Sequence, residues 1–217
     1  IKKHMDGVIF AGEVDIRVIE EFRKQSIPVV LVNNYLDMDG LVCISADHYG
    51  GAVQATEYLC KLGHCKIGLL SGRFSPQVSE ARIEGFVKTL AKYDIPVDDR
   101  FIADIEPALE DGEEIMTRML RGVDRPTAFF CTNDTIAAGA MKAVTRAGLR
   151  VPEDIAIIGF DDSYISRVVE PELTTVRIDA AKMGCLAMQT LFDLIAGMPV
   201  EKAHIQIPTE LIVRGTA

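Results

Sequence analysis

The sequence predicts an α/β protein built from parallel sheets flanked by helices. Three observations carry this reading. Short apolar runs rich in Val and Ile alternate with stretches whose apolar residues recur at helical spacing. The runs are continuously apolar, as strands buried on both faces must be. Glycines stand where the later amphipathic stretches stop, at Gly122, Gly148 and Gly197.

In chain order, Gly7-Val8-Ile9-Phe10 reads as a buried strand, and residues 14–25 as a helix with Ile16, Ile19 and Phe22 on one face. Pro28 to Val32 is the next strand. After a turn at Asp39-Gly40, Leu41 to Ile44 is another. Residues 50–62 form a helix through Ala52, Ala55, Leu59 and Leu62. Lys66 to Leu70 is a strand, and 80–93 a helix with Ile83, Phe86, Val87 and Leu90 inward. Arg100 to Ile105 is a strand, and 111–121 a helix with Ile115, Met119 and Leu120 inward. Thr127 to Thr132 is a strand followed by a helix at 135–147, and Ile155 to Phe160 is a further strand. A long helix at 180–196 precedes a final extended stretch, Ile205 to Val213.

A chain of 217 residues is long enough for one large domain or two small ones. Hydrophobic residues at 48% and charged residues at 25% fit a globular protein with a real core. No apolar run reaches the roughly 18–20 residues that span a bilayer. The first residues, Ile1 to Asp6, contain no apolar core of a secretory signal. The net charge of −9 offers no basic patch for phosphates, so any contact with DNA belongs to a module outside this sequence. The five cysteines are odd in number and form no C-x-x-C pair. Cys43, Cys131 and Cys185 sit among apolar or small residues, which predicts free, mostly buried thiols in a reducing cytoplasm. His64 beside Cys65 does not make a four-ligand metal site. Nucleophile elbows, Walker loops, metalloprotease helices and dinucleotide fingerprints are all lacking.

Ligands of open parallel sheets bind beyond the carboxyl ends of the strands. After the strand at 66–70 comes Ser71-Gly72-Arg73-Phe74-Ser75; after 127–132 come Asn133 and Asp134; after 155–160 come Asp161 and Asp162. Polar groups from three strand ends can therefore converge.

Several segments together resemble the lactose-repressor/galactose-repressor family of transcription regulators. They are Met5 to Phe10, Ile27 to Val32, Tyr49-Gly50-Gly51-Ala52, Leu62-Gly63-His64-Cys65-Lys66-Ile67, and Arg82-Ile83-Glu84-Gly85-Phe86. Pro126 to Asp134, Val151 to Asp162, Pro171 to Arg177, and Val213-Arg214-Gly215-Thr216 complete the set. Each is weak alone, but together, in the family's order and over the whole chain, they are specific. The resemblance implies two similar lobes of the type I periplasmic-binding-protein kind, joined by three crossings. Residues 1–45 plus 177–203 would form an incomplete N-terminal lobe, and 46–176 plus 204–217 the C-terminal lobe. It also implies a homodimer, a small sugar-like effector in the cleft, and operator DNA held through an N-terminal helix-turn-helix domain. The sequence begins at about the family's third strand, so a longer native polypeptide is expected. It also departs at Ala46-Asp47-His48, where the family often has Asp-Asn: Asp47 matches, and His48 replaces the amide.

For the ligand the resemblance selects Arg82, Asn133, Asp161, Phe74 and Asp47. Arg82 offers two-pronged hydrogen bonds to hydroxyls or an anion; without the resemblance it reads as a solvated helix-end arginine. Asp161 can accept from two adjacent hydroxyls or from a ring N–H. Asn133 both donates and accepts, which suits vicinal hydroxyls. Phe74 either stacks on a ring or packs in its loop, and Phe160 is equally ambiguous. Asp134 is placed to cap the following helix, Asp162 to serve as a cap or hinge contact, and Arg177 to pair with acidic residues. Asp161 and Asp162, adjacent on a strand, need not share a site. No catalytic residue, metal or cofactor is expected. The function implied is a cytoplasmic effector-sensing domain; the alternative is a periplasmic sugar-binding protein of a transporter, which shares the fold.

Overall fold

Val29-Val30-Leu31-Val32 shows how this chain makes its sheets. Four β-branched or branched residues in a row suit the pleat, and Val29, Val30 and Leu31 are buried, so helices must cover both faces. The computed structural model describes residues 5–34, 36, 38, 40–122, 124–200 and 203–217. Asp39 of the expected Asp39-Gly40 turn lies outside them. The described chain divides into two units. The smaller comprises Ile1–Asp47 and Asp179–Pro208, and the larger His48–Ile178 and Thr209–Ala217.

The smaller unit is a four-stranded parallel sheet of β1 (Val8–Ala11), β2 (Val29–Val32), β3 (Val42–Ala46) and β9 (His204–Ile207), in that order. Helix α1 (Ile16–Lys24) buries Ile19 against Val29, Leu31 and Cys43, and Phe22 meets Phe10 edge-on at 5.6 Å. Ile16, expected inward, is exposed at the first position of α1. Helix α6 (Ala180–Ile195) buries Met183, Ala187, Thr190 and Leu191, which recur at helical spacing.

The larger unit is a six-stranded sheet in the order β10 (Glu210–Ile212), β8 (Thr174–Arg177), β7 (Ala156–Asp161), β6 (Ala128–Cys131), β4 (Ile67–Gly72) and β5 (Ile102–Ile105). All pairs are parallel except β10 with β8. Successive strand residues feed opposite cores. Leu70, Phe129, Cys131 and Ile157 pack under α4 (Leu109–Met119) and α5 (Asp134–Arg146). Leu69, Phe130, Ile158 and Phe160 pack under α2 (His48–Lys61) and α3 (Pro76–Lys92). The period of two in a strand thus explains continuous apolar runs. Helices α4 and α5 approach closely because Gly139 lacks a Cβ, which would collide with the Leu109 carbonyl and come within 2.8 Å of the Glu113 nitrogen.

The element ends moved for local reasons. Helix α3 starts at Pro76, a residue whose fixed φ suits a first helical turn, rather than at 80. Helix α2 stops at Lys61, which leaves Leu62, expected inward, 50% exposed. The extended stretch 205–213 is two strands, not one. His204–Ile207 pairs in parallel with β3 in the smaller unit, and Glu210–Ile212 pairs with β8 in the larger. Residues 204–208, expected in the C-terminal lobe, therefore belong to the other unit, as do Ala46 and Asp47, while Arg177 and Ile178 stay in the larger one. Backbone pairing decides this: the Asp47 N–H donates to the Ile207 carbonyl. Cys43, Cys60 and Cys131 are buried free thiols, whereas Cys185, expected inside, is exposed on α6 with Cys65 also exposed. Among the described residues no helix is long and apolar enough to cross a membrane.

Candidate functional site

Arg82 lies on α3 and is only 3% exposed. A guanidinium taken from water needs partners on every side. One terminal nitrogen donates to the Thr132 carbonyl at the end of β6. The other lies 3.2 Å from His48 Nδ1 and 3.5 Å from Asp161 Oδ1. The guanidinium also lies over two aromatic rings, Phe160 at 4.0 Å and Phe74 at 4.9 Å. Burial, and then the Arg82 charge, push His48 down to about 3, so it is neutral. Because arginine only donates, Nδ1 of His48 accepts and its proton sits on Nε2.

Asp161 ends β7 with its side chain 39% exposed, facing Arg82. Desolvation by burial lifts its carboxyl to about 6; Arg82 opposes this and the Asp134 charge reinforces it. Its φ of +108° is a left-handed conformation that an L-residue rarely adopts, and Asp162 follows at +51°. Strain of this kind persists only where surrounding contacts impose it, and it concentrates at ligand sites.

Asp162 turns the other way and is 2% exposed. It accepts from Arg177 Nε at 2.7 Å, from Arg214 and from Ser166. Burial alone would raise this carboxyl, but the hydrogen bonds from Arg214 and Arg177 outweigh it and hold it at about 2. The two adjacent aspartates therefore do separate jobs, and Arg177 pairs with an acid.

At the β6–α5 junction the cap is Asn133 and not Asp134. Asn133 is the helix cap: its backbone is extended and its Oδ1 accepts from the Ile136 N–H at 2.8 Å. Asp134, expected as the cap, is instead the first helical residue and 1% exposed. It accepts from the Ser163 N–H at 2.6 Å and from the Thr175 hydroxyl. The physical reason is register. The residue one position before a helix points its side chain back at the first-turn N–H groups, while the next one points across to the neighbouring strand. Asn133 therefore has only its NH2 end to offer a ligand.

Arg82, Asp161, Phe74 and Phe160 are thus brought together on the larger unit, with Asn133 one residue from the carbonyl that holds Arg82. Asp47 lies on the smaller unit, at the end of β3. Among the described residues no group of His, Cys, Asp and Glu side chains could hold a metal ion.

The family model for the periplasmic binding protein-like domain matches residues 56–217. A regulatory protein of the LacI family from Chloroflexus aggregans superposes with a TM-score of 0.89 at 31% identity, over 97% of this chain and 76% of that one. This chain belongs to the LacI family. The LacI-family regulator from Enterococcus faecium solved with bound ribose superposes at TM-score 0.87 and 27% identity, over 97% of this chain and 79% of that one. The probable HTH-type transcriptional repressor ExuR of Bacillus subtilis (strain 168) is 35% identical over 211 residues. That match covers 96% of this LacI-family chain and 63% of the repressor. The chain spans less than two thirds of the length of the curated relatives it matches first. These relatives are named repressors and regulators, not enzymes.

Sequence reasoning noticed His48 only as a departure from the family, and overlooked Gly159, Ser163 and Thr175. Gly159 carried a signal. A lone glycine inside the apolar run Ile157-Ile158-Gly159-Phe160 marks a close approach to the strand. A Cβ there would strike the Asp134 carboxylate and come within 2.8 Å of Leu173 Cδ2.

Proposed function

We propose that this chain is the effector-sensing part of a ligand-controlled, bacterial-type transcription regulator. Its effector is a small polar molecule, a sugar or sugar derivative, that binds on the larger unit at Arg82, Asp161 and Asn133, with Phe74 beside them. The observation that carries this reading is the Arg82–Asp161 pair. The guanidinium is immobilised by Thr132, His48 and two rings, while Asp161 opposite has a strained backbone and a carboxylate still open to solvent. A fixed donor beside an accessible acceptor suits adjacent hydroxyls, and rigidity lowers the entropy lost on binding. The ribose held by the Enterococcus faecium relative supports the ligand class.

We assign no ligand contact to Asp47. In this reading operator binding is the work of a helix-turn-helix module of the kind named in the curated relatives, and the regulator acts as a cytoplasmic homodimer. Effector and operator affinities are linked reciprocally: whatever factor one changes in the other is returned. The transporter-protein reading is not favoured, because the relatives are repressors and regulators. A thermal-shift screen with pentoses, hexoses, disaccharides and sugar acids tests the proposal. One compound should raise the melting temperature with concentration, and Asp161→Ala should abolish the rise. A hit that stabilises Asp161→Ala equally rejects the site.

A further inference from the structure

Asp134 is a buried carboxylate that does not cap its helix. Asn133 already supplies the side-chain cap of α5. Asp134 reaches two other elements instead: the Ser163 N–H, directly after the strained pair Asp161-Asp162, and the Thr175 hydroxyl on β8. Thr175 in turn accepts from the Asp162 N–H at 3.4 Å. Two successive backbone N–H groups of the turn are therefore tied to one carboxylate, one directly and one through a hydroxyl. Strand β7 leaves room for this by placing Gly159 opposite Thr175.

We propose that Asp134 is a positioning residue for the ligand face: its carboxylate holds the Asp161–Ser163 turn in the left-handed conformation that directs Asp161 at Arg82. The functional meaning of this rests on the effector reading above, but the structural content does not. The ionisable groups around Asp134 are Asp161 at the end of β7, Asp162 directly after it, and Cys131 on β6. The Asp162 charge is answered by Arg177 and Arg214, and the Asp161 charge by Arg82. Burial raises the Asp134 carboxyl, and its hydrogen bonds from Thr175 and Ser163 oppose the rise. As an anion it also disfavours the charge on Asp161.

The test needs no effector. Carbon-13 aspartate labelling of the 217-residue chain follows the Asp161 carboxyl through a pH titration, and amide exchange reports the Ser163 N–H. Asp134→Asn is nearly isosteric: its oxygen accepts from Ser163 and its NH2 donates to Thr175. Ser163 exchange should stay near the parent's, while Asp161 titrates at lower pH because a repelling charge is gone. Asp134→Ala removes both ties. Exchange at Ser163 should quicken by about tenfold or more, as for a lost hydrogen bond to a charged group, and Asp161 should titrate nearer an ordinary carboxylate. If Asp134→Ala melts at a lower temperature but leaves Ser163 exchange and Asp161 titration unchanged, Asp134 only stabilises and the proposal is overturned. Should Asp134→Ala not fold, Thr175→Val removes one tie alone and should quicken exchange at Asp162; unchanged exchange there equally overturns it. A sugar screen that finds no hit leaves these outcomes standing, and their failure leaves the screen's result standing.

Discussion

Arg82 enters the interior with its charge answered on several sides, while Asp161 carries a charge that its surroundings resist. That difference sets the behaviour of single residues. Asp161 is lifted to about 6 in the folded chain from 3.8. A carboxyl raised by folding favours the folded state fully below about pH 4, and that advantage is lost as pH rises through about 6. At pH 7 the ionised Asp161 therefore costs stability. Allowing for its 39% exposure, the cost is about 1 kcal/mol. Asp161→Asn should accordingly melt higher than the parent at pH 7, with the gain vanishing near pH 4, while losing effector affinity. Thermal melts across pH check this. A ligand site that costs stability is a common trade. For the same reason the parent's effector affinity should fall as pH drops through about 6, by at most about tenfold per pH unit. Titration calorimetry at several pH values reads this directly. Asn133→Ala should cost about 1 kcal/mol of stability through the lost cap. The family resemblance pointed to Arg82, Asp161 and Phe74, and the fold places Asp161 and Phe74 beside Arg82. Which residue caps α5 was not legible, because a one-residue shift in where a helix begins turns a side chain by about 100°.

At the scale of elements, the strands were legible and their ends were not. Continuous Val/Ile runs announce strands buried on both faces, and β2, β4, β6 and β7 fell where the pattern put them. Ends depend on single residues such as Pro76, or on pairing partners far along the chain, as with β9 and β3. The C-terminal strand β10 is held beside β8 in part by Asp162, which binds Arg177 of β8 and Arg214 of the tail. Folding lowers this carboxyl to about 2, so it adds stability above about pH 4 that is lost as pH falls through about 2. Asp162→Ala should cost about 2–3 kcal/mol at pH 7, since it leaves the mostly buried Arg214 with only the longer pair to the exposed Glu172 at 3.6 Å. That penalty should shrink toward pH 2, and urea unfolding at the two pH values measures it. Gly159→Ala should cost about 1–3 kcal/mol by overpacking against Asp134 and Leu173.

At the scale of the molecule, family membership was legible because many weak segments agreed in order, which no single motif did. Where the chain leaves each unit was placed a few residues off, since those boundaries are set by backbone pairing and not by hydrophobic pattern. A chain of net charge −9 has little electrostatic affinity for phosphate. By itself it should give no operator band in a gel shift at physiological salt with nonspecific competitor. The central claim is that the Arg82–Asp161 pair receives the effector. Isothermal titration of the compound that stabilises the parent, repeated on Asp161→Ala, tests it most directly. The account predicts a loss of roughly tenfold to over a hundredfold in affinity, the worth of one charged hydrogen-bond partner, with the fold unchanged. Equal affinity in Asp161→Ala and the parent would contradict it.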